Sequence, residues 1–96
     1  MSEPHRLEIL RTEAWIGDAV LALFVREWLI ERRGSISSDA FQALTSNEFL
    51  AHHGNPTEEE AAIGRIYRNE GLAAAYTHIE RRLVPFFESR LAKRRA

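Results

Sequence analysis

Cysteine is absent from this sequence of 96 residues, so disulfide frameworks, thiolate zinc sites and thiol nucleophiles are excluded. Any metal ion must be held by oxygen or imidazole ligands. Long apolar runs are also missing: none approaches the roughly 18 residues that a membrane span requires. Residues 1–5 carry neither an apolar stretch nor a cleavage signal. We therefore expect a cytoplasmic protein that has no membrane partner.

A large excess of one charge is lacking as well, because 13 basic and 14 acidic residues give a formal net charge of -1. This balance argues against a strongly basic nucleic-acid binder. The charge is unevenly distributed, however, since residues 81–96 carry +5 and the rest of the chain -6. Twelve of the 13 basic residues are arginine, whose planar fork binds phosphate in a bidentate way. The basic tail, about residues 90–96, is either an RNA contact or a solvated chain end.

Strand signals are missing, because alternating β-branched runs do not occur and alanine, leucine, glutamate and arginine dominate. The length suits one small domain with one core. We therefore predict a single all-helical domain over residues 1–96. Glycine and proline breaks divide it into four or five helices. Their predicted bounds are 5–33, 37–52, 57–69 and 71–84, with a continuation to about 92.

The first predicted helix is apolar over most of its circumference. Between residues 15 and 29, only Arg26 and Glu27 form a polar strip on a helical wheel. We expect one side of this helix to face the core and the other to face a partner subunit. Gly17 costs helix stability relative to alanine, which suggests that another backbone or a ligand approaches the helix there.

Asp18 lies on the apolar arc of this helix, together with Leu21. An ionised carboxylate is normally expelled from such a position unless it is paired or bound to a metal. Asp18 is therefore either a functional carboxylate or an edge residue partnered by an arginine, such as Arg11 or Arg65.

Acidic residues open the helix that is predicted to begin at residue 57. Thr57 and Glu60 fit the S/T-x-x-E capping box, in which the two side chains satisfy free amides at a helix start. Glu58 and Glu59 also suit the positive end of a helix dipole. From composition alone, a capping role for Glu60 is favoured over a catalytic role.

Three blocks of this sequence together resemble the ribonuclease III family. Residues 13–21 (EAWIGDAVL) are similar to the family signature E-R-L-E-F-L-G-D-A-V-L. Residues 44–51 (LTSNEFLA) resemble its L-V-S-N-x-x-L-A helix, and residues 60–67 (EAAIGRIY) resemble its E-A-L-I-G-A-I-Y block. The ordered set spans residues 13–67, which is more than half of the chain. It implies a shortened, all-α, ribonuclease III-like endonuclease domain that forms a two-fold dimer.

The resemblance assigns Asp18 and Glu60 to two magnesium-site carboxylates of that family. The other family acids are replaced by Arg11, Ala14 and Thr57. Ala14 and Thr57 match the residues at these positions in the mini-ribonuclease III subgroup, which this sequence therefore resembles. That subgroup also lacks an appended double-stranded RNA-binding domain.

The stretch between the two acids is shorter than in the family, at 42 positions from Asp18 to Glu60. Residues 52–56 (HHGNP) replace a longer helical insert, so the surface that would touch RNA beside the site is changed. His52 and His53 are either imidazole ligands or part of a solvated helix end.

The resemblance implies a Mg²⁺-dependent endoribonuclease that hydrolyses double-stranded or structured RNA, with Mn²⁺ as an alternative ion. Mg²⁺ commonly takes one or two protein carboxylates and keeps several waters, so Asp18 and Glu60 suffice for one ion. Thr57, Asn55 or Glu59 would support the ion and its waters.

A-form RNA duplexes are recognised by shape, phosphate and 2′-hydroxyl contacts, and the chain has no base-reading motif. The candidate RNA contacts are Arg65, Arg68, Arg94 and Arg95. Pairing with nearby glutamates is an equal alternative for Arg65 and Arg68. The candidate dimer interface contains Trp15, Gly17 and Leu21, although composition alone would place Trp15 in the core.

The replaced acids leave a second function open. A catalytically weak or inactive ribonuclease III-like dimer would serve as an RNA-binding or ribosome-associated scaffold. A third class, a metal-dependent nucleotide hydrolase on a helical bundle, would also use acidic residues and a dimer. That class lacks support, because paired E-x-x-E and E-x-x-D helices are missing from the sequence.

Overall fold

The computed structural model describes residues 2–95, and the side chains of residues 2–93. Six helices follow one another in this part of the chain: α1 (Glu3–Arg33), α2 (Ser38–Thr45), α3 (Asn47–Ala51), α4 (Pro56–Glu70), α5 (Leu72–Arg82) and α6 (Val84–Arg95). The described residues form no strand, so the all-helical prediction is confirmed for them. No helix within residues 2–95 combines the length and apolar character needed to cross a membrane.

Local capping sets both ends of α1. The Ser2 hydroxyl accepts a hydrogen bond from the His5 amide, and Pro4 lies in the first turn, where a missing amide costs nothing. At the other end, Gly34 has a φ of 71° and its amide donates to the Ile30 carbonyl oxygen. The resulting 31 residues span about 46 Å, which equals the 46 Å long dimension of the molecule.

The predicted helix 37–52 is divided, and the predicted helix 71–84 separates from its continuation at Leu83. Ser46 has extended backbone angles, and its hydroxyl accepts a hydrogen bond from the Phe49 amide. This cap separates α2 from α3 within the predicted helix 37–52. Leu83 ends α5, and Pro85 lies in the first turn of α6. The described residues therefore form six helices instead of four or five.

All six helices contribute to the core, and within it aromatic rings of α1, α3 and α6 meet. Phe87 is fully buried, and its ring centroid lies 5.0 Å from that of Trp28, 5.8 Å from Phe49 and 6.5 Å from Phe24. Aromatic clusters of this kind bury large apolar areas. Other fully buried side chains in the core are Leu21, Val25, Leu44, Leu50, Ile63, Ile79 and Leu83.

Candidate metal centre

Two glycines allow α1 and α4 to cross at backbone contact. A β-carbon built on Gly17 would overlap the carbonyl oxygen of Glu60 and lie 2.9 Å from the amide nitrogen of Gly64. A β-carbon built on Gly64 would overlap the carbonyl oxygen of Glu13 and lie 2.9 Å from the amide nitrogen of Gly17. The close approach predicted at Gly17 is therefore a helix crossing within one chain.

The crossing brings Asp18 and Glu60 together. Asp18 follows Gly17 on α1, and Glu60 lies one helical turn before Gly64 on α4. The two carboxyl side chains are within hydrogen-bonding reach of each other. Burial, followed by the hydrogen bond and the negative charge of Asp18, raises the pKa of Glu60 to about 8. At neutral pH, Glu60 therefore keeps a proton beside Asp18.

The carboxylate pair is open to solvent on one side. Asp18 is exposed and Glu60 is half-buried. The expectation that Asp18 sits within a buried arc is wrong, because the buried arc of α1 runs through Gly17 and Leu21 while Asp18 lies beside it. A ligand in solution can therefore reach the pair.

No arginine partner of Asp18 is found among the described residues. Arg65 instead pairs with Glu13, with its Nε atom 3.3 Å from Oε2, and Arg11 forms no ion pair within residues 2–93. The group that Asp18 meets across the crossing is the carboxyl of Glu60. Arginine pairing therefore does not explain this acid.

The pair has the donor chemistry that Mg²⁺ prefers. Within residues 2–93, no group of three or more histidine, aspartate or glutamate side chains is placed to hold a metal ion. Mg²⁺ is nevertheless commonly bound through one or two carboxylates, with waters completing its coordination. Asp18 and Glu60 therefore fit one such ion.

The cap of α4 differs from the prediction. Asn55 is the N-cap, and its Oδ1 accepts a hydrogen bond from the Glu58 amide at 3.1 Å. The helix begins at Pro56, which favours the first helical position because it needs no amide partner. The capping box between Thr57 and Glu60 is therefore wrong. Thr57 is exposed in the first turn, and the side chain of Glu60 is free to meet Asp18.

Glu59 was expected to support the ion but is bound to Arg82 of α5. The Nε atom of Arg82 lies 2.5 Å from Oε1 of Glu59, and Nη2 lies 2.9 Å from Oε2. The same Nη2 donates to the carbonyl oxygen of His53 at 2.8 Å. This fork joins the end of α5 to the first turn of α4 and to the segment before it. Residue spacing gives no signal for the contact, since the partners are 23 positions apart.

The four candidate RNA contacts differ in their surroundings. Arg65 is engaged by Glu13, which matches the alternative of glutamate pairing. Arg68 is exposed and forms no ion pair within the described side chains. The side chains of Arg94 and Arg95 lie outside the described part of the chain.

The three candidate interface residues also differ in their exposure to solvent. Trp15 is 80% exposed, so the alternative of a core position for it is wrong. Leu21 is fully buried in the core, and Gly17 is covered by α4 of the same chain. Neither Leu21 nor Gly17 is available to a second copy. Their apolar or small character reflects packing within the chain.

An exposed apolar groove adjoins Asp18. Its lining includes Trp15 and Leu23 of α1, Tyr67 of α4 and Leu72 of α5. Leu23, Tyr67 and Leu72 are not among the predicted site residues. Their grouping depends on the way α4 crosses α1, which no local pattern reveals.

Comparison of the chain with protein-family models, curated proteins and solved structures finds no match. The candidate metal centre therefore rests on the geometry of the crossing and on the chemistry of its two carboxyl groups.

Proposed function

We propose that the chain is a Mg²⁺-dependent endoribonuclease that hydrolyses double-stranded or structured RNA. The observation that carries this proposal is the approach of Asp18 to Glu60 at the α1–α4 crossing. Adjacent carboxylates repel each other unless a proton or a cation joins them. The motif resemblance to ribonuclease III supports the same pair.

Asp18 and Glu60 would hold the ion, with Mn²⁺ as an alternative to Mg²⁺. When bound, the ion would make a water nucleophilic near neutral pH and offset the charge that builds on the phosphate oxygens. Glu60 must first release the proton that its carboxyl keeps beside Asp18. Ion binding should therefore strengthen as the pH rises toward about 8.

Phosphate recognition is assigned to exposed arginines. Arg68 is exposed on α4, the helix that carries Glu60, and an arginine can bind a phosphate group through two parallel hydrogen bonds. Arg65 would also contact a phosphate group if that phosphate replaced Glu13 as its partner. Arg94 and Arg95 extend the basic C-terminal tail and are further candidates.

A second copy of the chain would complete the enzyme. An RNA duplex has two strands, and each copy would supply the active site that cuts one of them. Trp15, which is 80% exposed, and the apolar groove beside Asp18 form the surface that we assign to this homodimer. A patch of exposed large apolar side chains is typical of an interaction site. The proposed role is RNA processing in the cytoplasm, for which ribosomal RNA is one candidate substrate.

A non-catalytic RNA-binding or ribosome-associated scaffold is the second candidate function. The observation that favours it is the small number of acids at the crossing. Two positions that are acidic in ribonuclease III are Ala14 and Thr57 here, and Ala14 is buried whereas Thr57 is exposed. A scaffold would bind duplex RNA through its arginines without cutting it.

Cleavage of a generic RNA duplex, with and without Mg²⁺, tests the proposal. The wild type is compared with Asp18→Asn and Glu60→Gln, and with Glu58→Gln as an exposed carboxylate on the same helix. We expect metal-dependent cutting that falls by more than about 100-fold in the first two variants and persists in the third. Duplex binding without cutting by the wild type would favour the scaffold.

A further inference from the structure

A second cleft lies between α6, α3 and the segment that follows α3. Its volume is about 270 Å³, and it shares no lining residue with the groove beside Asp18. Pockets for drug-sized ligands usually measure roughly 300–1,000 Å³. The cleft therefore suits one small chemical unit, with the rest of a larger ligand left in solvent.

Aromatic rings form one wall of this cleft. The ring centroid of His53 lies 5.0 Å from that of Phe49 and 4.7 Å from that of Phe86. Phe86 is nevertheless 48% exposed, so part of the aromatic surface is uncovered. Burial and the charge of Arg82 lower the pKa of His53, which keeps its ring neutral at physiological pH. The wall can stack against another flat ring.

Another part of the lining is cationic. Arg90 and Lys93 of α6 line the cleft, and no carboxylate does so within the described residues. Arg90 holds Glu48 through its two terminal nitrogens, each 3.3 Å from the same oxygen. The side chain of Glu48 is 73% exposed, so water competes strongly for this pair.

Arg90 also has hydrogen-bonding capacity that the protein leaves unused. Its Nε atom is buried and has no acceptor among the described residues. Buried donors without an acceptor are uncommon because they lose hydration without compensation. The terminal nitrogens of the same guanidinium carry further donors, whose hydrogen bonds the oxygens of a bound phosphate can accept.

We propose that this cleft binds one nucleotide unit, either free or within unpaired RNA. Its base would stack on Phe86 beside the tilted ring of His53, and its phosphate would contact Arg90 and Lys93. Aromatic stacking beside a cationic groove is the usual means of holding single-stranded nucleic acid. The proposal does not depend on RNA cleavage, because its residues are separate from the Asp18–Glu60 pair.

Binding to metal-free protein tests this proposal. Backbone amide spectra are recorded during titration with adenosine 5′-monophosphate, an adenylate octamer and inorganic phosphate. The test variants are Phe86→Ala and Lys93→Gln, which change exposed residues of the cleft. Ile36→Ala and Arg33→Gln are matched controls, because both residues are exposed and lie outside the cleft.

We expect shifts at Ser89 and Lys93 with the mononucleotide or with the octamer. Phe86→Ala should weaken octamer binding by roughly tenfold. Lys93→Gln should reduce the salt dependence of octamer binding by about 0.7 in the logarithmic slope. The two controls should bind as the wild type does.

The outcomes separate the ligand sources. Shifts with the mononucleotide would support a site that accepts a free nucleotide, and shifts with the octamer alone would support the same site as one for unpaired RNA. Inorganic phosphate binding as tightly as the nucleotide would overturn the proposal, as would unchanged octamer binding by Phe86→Ala. Because the assay contains no Mg²⁺, a negative cleavage assay would not alter these results.

Discussion

Gly17 of α1 and Gly64 of α4 meet backbone to backbone, since a β-carbon built on either would lie 2.9 Å from the amide nitrogen of the other. This reciprocal contact determines where the nearby acids lie. Asp18 is adjacent to Gly17, and Glu60 is one turn from Gly64. The two carboxyl groups therefore meet because Gly17 and Gly64 have no side chains that would hold the helices apart.

Replacement of Gly17 by alanine should destabilise the fold. Alanine favours a helix over glycine by up to about 1 kcal/mol, but its methyl group would overlap the Glu60 carbonyl oxygen. Overpacking of this kind costs about 1–3 kcal/mol, so we expect a net loss in the free energy of unfolding measured with urea. Ala19→Gly, at an exposed position of the same helix, isolates helix propensity. A gain in stability for Gly17→Ala would contradict the steric account.

The raised pKa of Glu60 predicts a pH-dependent stability of the metal-free protein. This pKa is about 8 in the folded chain and 4.5 ordinarily. Between these values the folded chain holds more protons than the unfolded chain, so the contribution of Glu60 to the unfolding free energy falls as the pH rises. The contribution is level below about pH 4.5 and again above about pH 8.

Urea titrations across this pH range check the sign of the effect. Glu60→Gln should lose the fall in unfolding free energy that the wild type shows, whereas the exposed Glu58→Gln on the same helix should keep it. An unchanged slope in Glu60→Gln would place the titrating group elsewhere.

Arg82→Lys should weaken the junction of α4 and α5 although it keeps the positive charge. Lysine lacks the planar fork that binds both oxygens of Glu59 and the carbonyl oxygen of His53. Hydrogen bonds to charged groups contribute about 1.5–3 kcal/mol. The side chain of Arg82 is 44% exposed, so solvent screening reduces the expected loss to about 1 kcal/mol.

Thermal and urea unfolding measure that loss. Arg32→Lys is the matched control, because Arg32 meets Glu88 at 3.6 Å with both side chains more than half exposed. Such a pair is worth about 0–1 kcal/mol, so the control should change little. Equal effects in the two variants would show that the fork has no special role.

The proposed dimer predicts that Trp15→Glu gives a monomer with an intact fold. A charge at this exposed position would oppose burial against a second copy while leaving the core untouched. Sedimentation equilibrium over a range of protein concentrations provides the measurement. Ile36→Glu, at a position that is also highly exposed, should leave the association unchanged. A monomeric wild type would overturn the dimer.

The helical fold was predictable where the signals are local. Gly34 ends α1 at the expected residue, where its left-handed backbone closes the last turn. The break at Ser46 was missed, since a serine within a helical pattern does not show from sequence whether it caps a new helix. The start of α4 was also missed, because Pro56 occupies the first helical position and makes Asn55 the cap in place of the predicted Thr57.

The candidate site was predictable only in part. The motifs selected Asp18 and Glu60, and the structure places them together. The burial of Leu21 and the binding of Glu59 by Arg82 depend on helices that are distant in sequence. Contacts of that kind arise from packing and leave no periodic signal. This is why an expected interface residue became a core residue, and an expected metal-supporting acid became a structural one.

Calorimetric titration with Mg²⁺ tests most directly whether Asp18 and Glu60 form a cation site. The wild type, Asp18→Asn and Glu60→Gln are compared near pH 7, with Glu58→Gln as the control. We expect the wild type and the control to bind one ion per chain and to release a proton, because Glu60 must give up the one it holds. Both site variants should lose binding. Equal Mg²⁺ binding by the wild type and both site variants would contradict the account.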